Sequence, residues 1–251
     1  MGGAQREAQG APMMTVLITG ASSGIGAGLA KSWADDGYRV IACGRDRARL
    51  EALQRCSPNI AIRLFDMTDR DACRQALAGC SAELTILCAG TCEYLQDGVV
   101  DAALMERVIT TNFLGPVNCL AALEPQLVSG NRVVLVSSMA HWLHFPRAEA
   151  YGASKAALTW FANSLRLDWE PRGIAITVVS PGFVDTPLTR KNDFPMPGRV
   201  SVESAVKAIR RGLSKGKDDI AFPTGFGLTL RLLAALPAGL QRIFLRRMVR
   251  S

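Results

Sequence analysis

The chain has 251 residues, 49% hydrophobic and 20% charged, with a formal net charge of +7. Length and composition fit one large, well-filled α/β domain and exclude a disordered or coiled-coil chain. Residues 228–251 hold five arginines and no acid, leaving the rest near +2, and basic charge confined to one tail without interleaved aromatics is not a nucleic-acid-binding face.

Residues 1–13 are small and polar, with no apolar h-region or membrane span. They read as a flexible leader, with a start at Met13 or Met14 as an alternative. Short β-branched runs follow at 15–19, 38–43, 60–65, 83–88, 132–137, 174–179 and 219–222. Several are continuously apolar, as strands buried on both faces of a parallel sheet are. Amphipathic stretches at 24–36, 46–55, 69–79, 101–126, 149–170 and 202–214 lie between them. This alternation predicts a doubly wound, Rossmann-like parallel sheet with helices on both faces, a single domain over 14–227 with an apolar, basic tail at 228–251. The long irregular connection from Pro181 to Pro197 follows a strand's carboxyl end, where such sheets bind ligands.

The first strand runs into TGASSGIGAGLA, in which Gly20, Gly24 and Gly26 form G-x-x-x-G-x-G. Glycines let a backbone turn tightly and approach a pyrophosphate, and the helix that follows offers unpaired N–H groups. Gly28 provides a small surface where that helix meets the sheet. The second strand ends at Gly44-Arg45, where NAD users of this fold carry an acid for the ribose hydroxyls. A guanidinium there can grip a 2′-phosphate, so Arg45 points to NADP(H) over NAD(H), while Arg47 and Arg49 read as a solvated helix face.

The seven cysteines (Cys43, Cys56, Cys73, Cys80, Cys88, Cys92 and Cys119) show no metal-ligand spacing, and Cys88 and Cys92 lack the two-residue gap of a zinc or redox hairpin. No metal is expected, and a reduced, cytoplasmic compartment is the simpler reading. Tyr151 and Lys155, in YGASK, stand at i and i+4 on a helix. An ammonium beside a phenol should lower the phenol's pKa, and such a phenol can donate a proton to a developing alkoxide or accept one in reverse. The strand before it delivers Ser137 and Ser138 at its carboxyl end, where a hydroxyl can hydrogen-bond a substrate carbonyl.

With TGASSGIG, DMTD, CAG, TNFLG, VSSMA, YGASK and PGFVDTP in order, the sequence resembles a short-chain dehydrogenase/reductase of the roughly 250-residue kind over about residues 14–225. The resemblance implies that Tyr151 is the general acid/base, that Lys155 lowers its pKa and binds the ribose, and that Ser138 orients the carbonyl. Asn112 would support a proton-relay water chain beside the lysine. It further implies cofactor contacts from Gly20, Ser22, Ser23, Gly24, Ile25 and Gly26. Asp66 and Met67 would border the adenine, Ala89 and Gly90 the ribose, and Pro181, Gly182, Val184 and Thr186 the nicotinamide carboxamide. One departure is Cys88, where the family often carries an asparagine that ties adjacent loops together; a thiol is a weaker partner.

His141 and His144, with Trp142, are expected to shape the substrate pocket, whose variable loops are 91–98, 139–147 and 185–200. On a helical wheel Arg242, Arg246, Arg247 and Arg250 cluster opposite Leu240, Phe244, Leu245, Met248 and Val249. Such a tail can lie on an anionic membrane, pack on a neighbouring subunit or cover the cleft. The expected activity is NADP(H)-dependent interconversion of a carbonyl and an alcohol on a small-molecule substrate, and the apolar tail points to a lipophilic one. The expected assembly is a homodimer or higher homo-oligomer through helices 101–126 and 149–170, with peripheral membrane contact through 228–251. The alternative is a non-catalytic nucleotide-binding sensor or membrane-associated interaction protein, which need not keep Ser138 and Lys155 with Tyr151.

Overall fold

A computed structural model describes residues 14–96 and 98–249, with side chains to Arg246. The leader 1–13, the side chains of Arg247, Met248 and Val249, and Arg250 therefore lie outside the described residues. The strands β1 (Thr15–Thr19), β2 (Arg39–Gly44), β3 (Ile60–Leu64), β4 (Leu84–Leu87), β5 (Arg132–Val136), β6 (Ala175–Pro181) and β7 (Asp219–Phe222) form one sheet. Their order is β3-β2-β1-β4-β5-β6-β7, and every pairing is parallel. The order reverses beside β1, which opens a crevice at the carboxyl ends of β1 and β4.

Alternation along the strands feeds two cores. Val16 and Ile18 of β1 face a layer built with Leu29 and Trp33 of α1 (Gly24–Asp35) and Val206 and Ile209 of α7 (Val202–Ser214). Leu17, between them, faces the opposite layer with Leu77 of α3 (Arg70–Leu77), Leu123 of α5 (Gly115–Leu123) and Leu158 of α6 (Glu149–Trp169). Helix α2 (Arg47–Gln54) is capped by Asp46, whose side chain accepts from the Arg49 N–H.

The expected helix over 101–126 is interrupted. It divides into α4 (Ala102–Ile109), a π-helical turn at Thr110–Leu114, α5, and a 3₁₀ turn at Glu124–Gln126. Pro116 has no N–H, so it cannot make the α-helical bond to the Asn112 carbonyl four residues back. After β7 come α8 (Thr224–Ala234) and α9 (Ala238–Val249), and α8 spans the boundary drawn at residue 227.

Candidate active site

The glycine turn packs tightly enough to explain its composition. Gly20 has φ of +68°, and a Cβ on Gly26 would stand 2.3 Å from the Gly20 carbonyl oxygen, so neither position accepts a side chain without moving backbone. Helix α1 then begins with Ser23 at its N-cap making no side-chain cap bond and with no acid in its first turn. Its leading N–H groups and dipole are left to the crevice, which suits a pyrophosphate.

That crevice is a cleft of about 820 Å³. Gly20, Ser22, Ser23, Gly24, Ile25 and Gly26 line its floor, with Arg45 and Met67 toward one end. Ala89 and Gly90 line the middle; Pro181, Gly182, Val184 and Thr186 line the other end beside Ser138, Tyr151 and Lys155. These residues fit a nicotinamide dinucleotide: an uncapped helix end, a glycine cradle and a cationic group at the tip of β2.

Two of the expected residues spend their side chains on bonds within the protein. Asp66 turns its carboxylate to the Thr68 N–H and hydroxyl, at 2.9 and 2.8 Å, and to Arg45 Nη1 at 2.9 Å. Burial alone would raise its pKa, but the Thr68 bonds and the Arg45 guanidinium hold it below the usual carboxylate range. Asn112 is fully buried beneath the cleft. Its amide accepts from the Thr91 N–H at 2.7 Å and donates to the Thr91 carbonyl at 2.9 Å and to Ser154 Oγ at 3.0 Å. The side chain is thus a clamp on the loop after β4, and the π turn with Pro116 frees its backbone carbonyl from α-helical pairing.

Loop tying at Cys88 is shared out. Thr19 Oγ1 accepts from the Cys88 and Ala89 N–H groups at 3.1 and 3.3 Å. Burial pushes the Cys88 thiol up to about 11, so it is protonated at neutral pH and is no nucleophile.

Ser138 caps a 3₁₀ turn at Met139–His141, its Oγ accepting from the Ala140 N–H at 3.1 Å. Ser137 is spent structurally, its Oγ donating to the Lys155 carbonyl at 3.1 Å and lying 2.7 Å from Thr159 Oγ1. Lys155 Nζ donates to the Val136 carbonyl at 2.9 Å and stands 5.8 Å from the Tyr151 ring centroid. Burial lowers the lysine to about 8. Burial also raises the Tyr151 phenol, and the Ser138 hydroxyl offsets only part of that rise. The sequence expectation of a phenol lowered by Lys155 is therefore corrected: in the protein alone, desolvation wins.

A second, largely apolar cleft of about 680 Å³ adjoins the first. Its walls include Met139, Leu143, Phe145 and Phe183, with Phe226, Leu230 and Leu233 from α8 and Gln241, Phe244 and Leu245 from α9. Ser138, Tyr151, Pro181, Gly182, Leu188 and Thr189 line both clefts. A strap across residues 188–197 is latched down: Tyr94 donates to Asn192 Oδ1 at 3.1 Å and meets Phe194 edge-on, while Arg147 pairs with Asp193 at 3.0 and 3.1 Å.

The histidine–tryptophan expectation does not hold. The 3₁₀ turn sends Met139, Leu143 and Phe145 into the cleft, and points His141 at the Ser138 carbonyl and Trp142 under Arg231 of α8, 4.6 Å from its ring centroid. His144 sits in a side hollow with Arg242, Leu245 and Arg246. The sequence put the loops holding Tyr94 and Arg147 at the pocket and offered cleft cover as one place for the tail. It did not single out these side chains or the α8–α9 wall, whose places depend on contacts between distant segments.

A glycine-cradled cleft that holds Lys155 and opens onto an apolar cleft at Ser138 and Tyr151 defines an NAD(P)-dependent oxidoreductase that acts on CH–OH groups. A family model described as short chain dehydrogenase matches residues 14–195, and the chain belongs to the short-chain dehydrogenase/reductase family. An oxidoreductase of Myxococcus xanthus is 36% identical over 239 residues, covering 89% of this chain and 92% of its own. A protein of Sesamum indicum named 11-beta-hydroxysteroid dehydrogenase A is 31% identical, covering 85% of this chain and 69% of its own. A Burkholderia cenocepacia short chain dehydrogenase crystallised in complex with NADP shares the fold at a TM-score of 0.80 and 23% identity, covering 93% of this chain and 97% of its own.

Proposed function

We propose that the protein is an NADP(H)-dependent enzyme that interconverts a lipophilic carbonyl compound and its alcohol, with Tyr151 as general acid/base. The observation that carries this reading is that Ser138 and Tyr151 line the nucleotide cleft and the apolar cleft at once. The nicotinamide supplies or takes the hydride when bound. Ser138 donates a hydrogen bond to the substrate oxygen, and Tyr151 gives its phenolic proton to the developing alkoxide, or takes it back in the reverse direction. A phenol raised by burial is protonated near neutral pH, the form that donation to an alkoxide requires. The Lys155 ammonium holds the ribose and stabilises the phenolate as it forms. The Asn112 carbonyl, to which Pro116 offers no N–H, would anchor the water through which the proton is replaced.

Arg45, at the tip of β2 and with 69% of its side chain exposed, supports the choice of NADP(H), with Arg49 on the same cleft wall. The apolar lining supports a lipophilic substrate, and the sesame relative's name, 11-beta-hydroxysteroid dehydrogenase A, supports trying steroids among them. A homodimer through α6 belongs to this reading, since Trp160 and Leu167 stand 79% and 71% exposed two helical turns apart. So does peripheral membrane contact through 228–251. Among the described residues no helix is long and apolar enough to cross a membrane. A nucleotide sensor is not favoured, because Ser138 and Tyr151 stand at the junction of two clefts with Lys155 beside them in the first.

The test is NADPH consumption, read by absorbance, against steroid-sized apolar ketones and small charged oxo acids. Turnover confined to the apolar set is expected. Preference for the charged set would overturn the substrate class, and tight NADPH binding without turnover on any carbonyl would favour the sensor.

A further inference from the structure

Helices α8 and α9 have already used their inner faces. Gly227 and Leu230 are buried, and Leu233, Gln241 and Leu245 line the apolar cleft. Their outer faces are nevertheless apolar. Leu228 and Leu232, one turn apart on α8, are 59% and 63% exposed; Leu240, Ile243 and Phe244 on α9 are 46%, 53% and 46% exposed. Gln241 Nε2 donates to the Ala234 and Leu236 carbonyls at 3.0 and 2.7 Å, which fixes the turn between the two helices.

The charge on this segment has one sign. Residues 224–251 contain five arginines and no acid, and Arg231, Arg242 and Arg246 are exposed on the same two helices, Arg242 and Arg246 on the flank of α9 beside His144. Phe244 borders both surfaces: it shares a helix face with Leu240 and Ile243, is 46% exposed, and lines the cleft that contains Tyr151.

We propose that the outer faces of α8 and α9 dock on an anionic lipid bilayer, and that a lipophilic substrate enters the cleft past Phe244 directly from it. The route of substrate, though not the docking, rests on the function proposed above. Exposed apolar side chains on two helices whose only charges are arginines match acyl chains below phosphate headgroups. A second copy of the chain meeting this face about a two-fold axis would set arginines against arginines, which disfavours that occupant.

The experiment uses the full chain and co-sedimentation with phosphatidylcholine vesicles, with and without phosphatidylglycerol, at low and high salt. Binding to the anionic vesicles alone, weakened by salt, is expected. The pair Leu228→Glu/Leu232→Glu, and separately Arg242→Glu/Arg246→Glu, should each weaken that binding by about tenfold or more. Both should leave NADPH turnover of a small water-soluble aldehyde unchanged. Wild type should reduce a bilayer-partitioned ketone faster than either variant. The proposal is overturned if wild type stays in the supernatant, if neither variant weakens binding, or if the leucine variant instead abolishes a dimer. Sedimentation requires no turnover, so an inactive protein that still binds vesicles would refute the proposed function and leave the docking surface standing.

Discussion

Replacing Lys155 with Met removes the buried charge on which the site's electrostatics turn. Burial lowers this lysine from 10.5 to about 8. Below the lower value, native and unfolded chains both hold the proton, and the buried ammonium costs the native state its full desolvation penalty. Between the two values the unfolded chain still holds a proton that the native state has lost, so stability rises with pH. The whole penalty is roughly 3 kcal/mol, with a limiting slope of about 1.4 kcal/mol per pH unit. Met has no proton to lose, and leaving the Val136 carbonyl without its Nζ donor subtracts about 1 to 2 kcal/mol from the variant. Urea unfolding without added nucleotide, at steps from pH 7 to 10, measures both. Wild type should gain stability relative to the variant as pH climbs through that window. Parallel profiles would refute the assignment of a buried, shifted lysine.

Arg45→Asp should weaken NADPH binding about tenfold to a hundredfold in titration calorimetry while leaving NADH binding intact. Its ion pair with Asp66 is exposed, so the melting temperature should barely move; unchanged NADPH affinity would sink the assignment. Trp160→Glu puts a charge on the outer face of α6 and should convert a dimer to monomer in sedimentation velocity, whereas a monomeric wild type would contradict the proposed interface.

Much of this architecture was legible because its causes are local. Continuous apolar runs marked the two-sided strands, and the glycine spacing marked a turn in which a Cβ on Gly26 would meet backbone. Tyr151, Lys155 and Ser138 were legible because strand-end and helix positions fix them. The π turn at 110–114 was hidden, since its apolar period matches an α-helix and only Pro116 hints at the break. The acidity of Tyr151 was misjudged because proximity to a cation shows in the sequence and desolvation does not. His141 and Trp142 were assigned to the cleft from adjacency, yet a single 3₁₀ turn rotates them away from it. The tail's two faces could be read from a helical wheel, but only packing shows that Leu230, Leu233 and Leu245 close the cleft.

The most direct test of the central claim is Tyr151→Phe, which removes one oxygen and keeps the ring. NADPH should bind this variant with near-wild-type affinity by fluorescence, and reduction of an apolar ketone that wild type turns over should fall by at least about a hundredfold. Retained turnover would show that the proton comes from elsewhere, and would contradict Tyr151 as the acid at the junction of the two clefts.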